Sequence, residues 1–443
     1  MARHDSDVLV IGAGAAGLAA ARDLSGAGKR VIVLEARGRI GGRIHTTHLA
    51  DLPMPIELGA EFVHGEVDET FSIVDAAALT AIGLPDNHWW SKDGRWTLVD
   101  DFWGKIDGVR AKIGALQRDI SFDEFLRRRK SLDPQLRELA RTFVEGYHAA
   151  HADRISALAL RSADQEQSDP TGNKQFRITQ GYDALIAWLH AGLDPSRAEL
   201  RLGAMVKSIA WSKGEVAVTT QQETLRANAV VVTVPIGVLK APRDHEGAIR
   251  FDPPLREKEN ALGNLEAGHV VKIAFRFRER FWDESDFIGE RSATKSWQRG
   301  TPVNFVHTND RFMPTWWTMA PARAPILTGW AGGHAADALL AEGSSAMTER
   351  GLDAMSAAFR IPRRRLDALL VATYHHDWQA DPFARCAYSY AAVGGRGAHE
   401  QLAKPLQDTI YFAGEATNAK QTGTVAGAIE SGRKAARRLL KSK

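Results

Sequence analysis

Val8-Leu9-Val10-Ile11-Gly12-Ala13-Gly14-Ala15-Ala16-Gly17 is the stretch on which the fold turns. Four consecutive apolar residues without alternation suit a strand buried on both faces of a parallel sheet. A G-x-G-x-x-G turn follows at once, and Leu18 to Leu24 continues as an alanine-rich helix that should stop around Gly26 and Gly28. Val31-Ile32-Val33-Leu34 reads as a second buried strand, ending in Glu35. Strand, glycine turn, helix, strand and acid in that order form a dinucleotide-binding unit. Gly12 allows the tight turn, Gly14 lets the backbone approach a pyrophosphate, and Gly17 lets helix pack on strand. The helix N-terminus, with Ala16 in its first turn, favours the anion. Glu35 can accept from both ribose hydroxyls, which favours an unphosphorylated adenosine ribose.

Outward from this unit, 443 residues are too many for one ordinary core and predict two domains. With 44% apolar and 25% charged residues the composition is that of a globular protein. The formal charge of +3 is thinly spread. The arginine triplets 127–129 and 363–365 lack interleaved aromatics, so they read as solvated helix faces and no nucleic-acid partner is expected. Cys386 is the single cysteine, which excludes an intrachain disulfide, a CxxC redox pair and a cysteine zinc site, and no metal is expected. Strand-like sequence begins by Asp7 and no apolar run reaches the roughly 18 residues of a membrane span. The expectation is a cytoplasmic protein without a membrane span.

Glu35-Ala36-Arg37-Gly38-Arg39-Ile40-Gly41-Gly42-Arg43 resembles the E-A-R-x-R-x-G-G-R segment of the flavin amine oxidases, the family of monoamine oxidases, polyamine oxidases and flavin histone demethylases. The resemblance implies FAD as cofactor, with Ala36, Arg37, Gly42 and Arg43 beside it and the arginine of the glycine pair meeting its phosphates. Leu58-Gly59-Ala60-Glu61-Phe62-Val63-His64-Gly65 looks like the family's L-G-A-x-W-x-H-G stretch, which implies that Gly59, Ala60 and Glu61 pass beside the flavin ring and that His64 lines the substrate tunnel. His64 is then either a hydrogen-bonding partner for a distal amine, tuned near neutral pH, or a satisfied structural histidine. L-Amino-acid oxidases similar to this family carry Met-Arg where this chain has Glu61-Phe62. An acidic Glu61 would repel a substrate carboxylate, so an amine without one is favoured.

The likeness continues through most of the chain. Val206 falls on a position whose backbone meets the adenine in the family, and the alternation of Val206-Lys207-Ser208-Ile209 with Val216-Ala217-Val218 reads as a hairpin. Lys272 interrupts the apolar strand 268–277, where a buried unpaired ammonium would be costly; the resemblance implies that it holds a water near flavin N5. Trp378 to Tyr390 resembles W-x-x-D-P-x-x-x-G-S-Y-S-Y, implying that Trp378 and Tyr388 frame the flavin and guide the amine. Cys386 replaces the usual glycine, and Ala387 stands where animal monoamine oxidases carry the cysteine that bonds to the cofactor, so FAD is expected to be non-covalent. Gly414-Glu415 and Thr424-Val425 match the F-A-G-E and T-V-x-G-A motifs and imply contact with the flavin. Thr424 replaces the second tyrosine of an aromatic pair, leaving Tyr388 a roomier pocket. Trp89-Trp90, Trp316-Trp317 and Trp330 could each be core or aromatic wall.

The implied fold is α/β: a Rossmann-like FAD-binding domain of glutathione-reductase type, interleaved with an α+β substrate-binding domain. Its FAD parts would be 1–70, 191–260 and 405–443, and its substrate parts a helical 71–190 and a sheet-plus-helix 261–404. The implied activity is hydride removal from the carbon next to an amine nitrogen, with O2 as acceptor and a monoamine or polyamine as substrate. Lys272, His64 and Tyr388 would be the catalytic residues. Two readings compete with it: another flavin oxidoreductase on the scaffold, such as an L-amino-acid oxidase or a desaturase, and a flavin-bound interaction protein without turnover.

Overall fold

The computed structural model of the chain describes residues 4–166, 172–284, 286–293 and 301–442. Val8–Ile11 lies at the centre of a five-stranded sheet, flanked by Val31–Leu34 and Ala229–Val232. Ala198–Arg201 and Ile410–Phe412 form the edges, and every pairing is parallel. The three inner strands are buried throughout, as their unbroken apolar runs require. Each fully buried Leu, Ile or Val contributes about 1.5–3 kcal/mol.

Helix Ala15–Gly26 follows the glycine turn and packs its alanine face against Val425–Lys441. The two helices cross so closely that a Cβ on Gly432 would lie 2.1 Å from the Ala16 carbonyl oxygen. Tyr182–Ala191 covers the same helix, with Leu185, Ile186 and Leu189 in the common core. The hairpin of Ser208–Ser212 with Glu215–Thr219 forms and gains Thr224–Ala227 as a further antiparallel strand.

A seven-stranded sheet makes the floor of the second layer. Its order is Leu370–Tyr374, Val270–Phe277, Ile326–Gly332, Thr315–Thr318, Phe305–His307, His88–Lys92, Arg95–Leu98. The stretch 71–190 is therefore more than helical. His88–Lys92 pairs in parallel with Phe305–His307 and extends this sheet, because His88-Trp89-Trp90-Ser91 is buried and followed by a turn at Asp93-Gly94. Its helices Phe102–Ala111, Phe122–Arg128 and Pro134–His148 pack on one another in a separate apolar cluster. Residues 167–171 of that stretch lie outside the described residues.

The arginine triplets sit on or beside exposed helices, and four of the six form ion pairs there: Arg127, Arg128, Arg363 and Arg365. Arg127 and Arg128 bind Asp123 and Glu124, while Arg363 binds Glu349, Asp353 and Asp367. Among the described residues no helix is long and apolar enough to cross a membrane.

Candidate active site

One cavity of about 570 Å³ runs from the glycine turn to the face of the seven-stranded sheet. Every residue expected from the sequence to bind the cofactor or act in catalysis lines it except Gly17. Gly17 lies behind the turn, where a Cβ would meet the Gly12 carbonyl oxygen at 1.9 Å, so its part is to let the helix approach the strand.

At the nucleotide end Gly12 has φ +104°, a conformation open to glycine. Gly14 caps helix Ala15–Gly26 without any side-chain hydrogen bond, leaving first-turn N–H groups for an anion. The Glu35 carboxylate accepts from the N–H of Ala13 at 2.8 Å and of Arg37 at 2.9 Å, one bond per oxygen, so each oxygen keeps a further lone pair. Arg37 is held by Asp381 at 2.7 Å. These groups fit a dinucleotide: a bare helix N-terminus for its phosphates and an oriented acid for its ribose. Val206, 5% exposed, lies just before the hairpin and borders the same space.

In the middle of the cavity the chain is pinned by its own side chains. Arg43 donates to the Ala387 carbonyl at 2.5 Å and to Glu415 at 3.1 Å. Glu415 also accepts from the Ser389 hydroxyl and the Gly423 N–H. Arg43 and Glu415 therefore form a buried pair that ties three segments together. Gly414 has φ +120°. Thr424 is the N-cap of helix Val425–Lys441; its hydroxyl accepts from the Gly427 N–H and donates to the Gln421 carbonyl. Gly423, not Thr424, is what faces Tyr388: a Cβ there would lie 2.9 Å from the tyrosine ring. Cys386 is fully buried in the apolar core behind, while Ala387 borders the cavity, the two facing opposite ways in the bend that precedes strand Ser389–Ala391.

Trp378 donates its indole N–H to the Leu58 carbonyl at 2.9 Å, and the Lys272 ammonium donates to the Gly59 carbonyl at 3.1 Å. Lys272 points inward, 5% exposed, and its charge is matched by Glu61 at 2.6 Å. Glu61 is further bound by Arg177 at 2.9 Å and by the Trp317 indole at 3.0 Å. Burial, the largest influence on Glu61, favours its neutral form, but Lys272 and Arg177 outweigh it and hold the carboxyl below its ordinary range. The expectation that an acidic Glu61 repels a substrate carboxylate therefore loses its basis, because two cations surround that single anion; Phe62 in place of a carboxylate-gripping arginine is what still disfavours such a substrate. Neighbouring Glu57, buried against Tyr182 and Thr46, is pushed up to about 7.

Tyr388 donates its hydroxyl to the Tyr147 carbonyl at 2.8 Å, and burial pushes that phenol far above its ordinary range. It presents a ring, not a base. His64 stands edge-on to Tyr147 at 5.2 Å, and burial lowers it to about 4, so it is neutral in the physiological range and not tuned near neutrality.

The tryptophans divide by strand alternation. Trp89 and Trp316 are core, whereas Trp317 and Trp330 line the cavity. Tyr147, Phe62 and a buried pair, His88 and His307, also line it and were missed by sequence reasoning. The pair left one signal, a histidine at the edge of each of two aromatic strands, His88-Trp89-Trp90 and Phe305-Val306-His307.

Comparison with known proteins agrees with this construction. The chain is 31% identical to polyamine oxidase 2 of Arabidopsis thaliana over 98% of its own length and 88% of that protein's. It is 28% identical to human lysine-specific histone demethylase 2, spanning 97% of this chain and 53% of that one. Wild-type putrescine oxidase bound to putrescine shares the fold with a TM-score of 0.78 at 21% identity, covering 98% and 99% of the two chains. Cyclohexylamine oxidase from Brevibacterium oxydans IH-35A does so with 0.79 at 20% identity, covering 98% of each. Residues 15–440 match the family described as flavin containing amine oxidoreductase. With the helix that follows the glycine cradle, the oriented acid and the lysine beside Gly59 all on that matched span, the chain belongs to the flavin containing amine oxidoreductases.

Proposed function

We propose that the protein is an FAD-dependent amine oxidase that uses oxygen as acceptor and takes amines without an α-carboxylate, monoamines or polyamines. The observation that carries this reading is the continuity of one cavity from the dinucleotide cradle to a substrate end walled by Tyr388, Trp330, Trp317 and His64. The resemblance to polyamine oxidases across nearly the whole chain supports it. Bound FAD would accept a hydride from the carbon next to the amine nitrogen and pass the electrons to O2, giving hydrogen peroxide and an imine that water hydrolyses to an aldehyde.

The residues divide the remaining work. Gly12, Gly14 and the first turn of helix Ala15–Gly26 would hold the pyrophosphate, and Glu35 the ribose. Lys272 uses two of its N–H groups on Gly59 and Glu61 and keeps a third for a water or ligand in the cavity. Tyr388 and Trp378 give flat apolar walls that orient an alkyl chain. Neutral His64 offers a hydrogen bond without adding positive charge against a cationic amine. The start of helix Val425–Lys441 would favour negative charge on the flavin's pyrimidine edge. Ala387, with Cys386 turned into the core, leaves FAD non-covalently held.

The test is anaerobic mixing of the flavin-loaded protein with mono-, di- and polyamines, aromatic amines and amino acids. Bleaching of the flavin by an amine class, reversed by air with release of peroxide, is expected. Bleaching by amino acids alone would move the function to amino-acid oxidation, and no bleaching by any of them would end the oxidase reading.

A further inference from the structure

His88 and His307 meet edge to edge, Nδ1 of His88 to Nε2 of His307 at 2.9 Å, in planes 5° apart. The coplanar pair is sandwiched between two phenyl rings. Phe102 stacks on His88 at 3.8 Å and Phe305 at 4.8 Å from the other side. The far nitrogen of His88, Nε2, lies 3.1 Å from Asp86 Oδ1, which also accepts from the Trp103 indole at 2.9 Å. The Asp86 side chain is 65% exposed, so the chain of three groups runs from solvent to the interior. Both histidines line the cavity, whereas Asp86 does not.

The hydrogen positions follow from the partners. A carboxylate can only accept, so His88 carries its hydrogen on Nε2 and leaves Nδ1 bare. That bare nitrogen must accept from His307, whose hydrogen therefore sits on Nε2. His307 Nδ1 is left as a lone pair with no hydrogen-bond partner among the described residues, on a residue facing the cavity. Burial disfavours the protonated form of either ring, which keeps this arrangement.

Sheet register places the lone pair. Lys272 is opposite Trp330, Trp330 opposite Thr315, and Thr315 opposite His307. The four share one face of the sheet and line the same cavity. Three strand spacings separate Lys272 from His307, about 14 Å, with the Trp330 ring and the small Thr315 side chain between them.

We propose that His307 Nδ1 is the acceptor for the second nitrogen of a long diamine or polyamine, with Asp86 and His88 as positioning residues that fix its tautomer. The inference rests on the oxidase reading for its substrate class and adds the recognition of a distal amine. A monoamine of equal length leaves this acceptor unused. A charged amine donating to a buried neutral acceptor is worth about tenfold or more in affinity.

The test uses holoenzyme whose flavin has been reduced with dithionite, so that amines bind without turnover, titrated calorimetrically with octylamine and with the terminal octanediamine. The wild type is expected to bind the diamine about tenfold more tightly. His307→Leu should abolish that preference while octylamine binding stays within about twofold, and His307→Gln, which keeps an acceptor oxygen, should restore part of it. Asp86→Ala lies at the exposed end, away from the cavity, and should lose about threefold of the preference by freeing the tautomer. Equal binding of the two amines by the wild type, or a preference that survives both His307→Leu and Asp86→Ala, overturns the proposal. Flavin that no amine bleaches, in a protein that still shows the preference and loses it with His307, would remove the oxidase reading and leave the distal-amine site. Bleaching by both amines with equal affinities would do the reverse.

Discussion

At the nucleotide end of the cavity the wall is main chain, shaped by Gly12, Gly14 and the open first turn of a helix. At the substrate end it is side chain, a set of charges and rings held in place by partners on other strands. The first kind of wall fails when an atom is added and the second when a partner is removed. Substitutions at the two ends should therefore differ in kind as well as in size.

The largest effect is expected at the main-chain end. Gly17→Ala places a methyl 1.9 Å from the Gly12 carbonyl oxygen, which neither backbone can yield. It should cost more than about 4 kcal/mol and leave the protein without flavin, read from the flavin-to-protein absorbance ratio. A variant that keeps full flavin would break the comparison, because the main chain would then have slack. Next comes the partner set. Glu61→Ala leaves Lys272 and Arg177 buried without their shared anion. It should lower stability by about 3–5 kcal/mol in urea unfolding, whereas Glu61→Gln, which keeps hydrogen-bond acceptors, should lose less.

Acid should act on the side-chain end. His64 has a folded value of about 4, lowered by burial, against 6.5 for an exposed histidine. The unfolded chain therefore binds the extra proton between those values, so stability is present above about pH 6.5 and is lost as the pH falls towards 4. His64→Phe should flatten that part of the curve in urea midpoints measured across the range. A smaller effect is expected for Tyr388→Phe, which removes one bond to the Tyr147 carbonyl and keeps the ring. Flavin should stay bound, with about 1 kcal/mol of stability lost. Smallest of all, Val206→Ile changes a side chain where the proposed contact is backbone, and flavin content should be unchanged.

The same contrast explains what could be read from the residues alone. The dinucleotide unit is contiguous from Val8 to Glu35, and its chemistry is a spacing of glycines, so it was legible in full. Gly59, Lys272 and Trp378 were legible through the family resemblance, but their mutual bonds were not. Nothing in the order of residues says that Lys272 finds Glu61, which lies 211 positions earlier and was read only as an acid that would repel a substrate carboxylate. The pairing of His88 with His307 likewise depends on a parallel strand register between two distant segments. The stretch 71–190 looked helical because its strands are only three to five residues long and His88–Lys92 is buried along four successive residues, which leaves no alternation to read.

The interleaving of the parallel sheet has a consequence for how the chain is made. The strand Val8–Ile11 far precedes its neighbour Ala229–Val232 in the chain, and the sheet is completed only by Ile410–Phe412. The alanine face of helix Ala15–Gly26 waits longer still, for Val425–Lys441. A growing chain must therefore carry its apolar nucleus uncovered until Val425–Lys441 has been made, the condition under which partly folded chains aggregate and chaperones are engaged. Loss of helix Val425–Lys441 would leave that nucleus bare for good, so a stop codon just before Val425 should be as harmful to folding as one within the middle of the sheet.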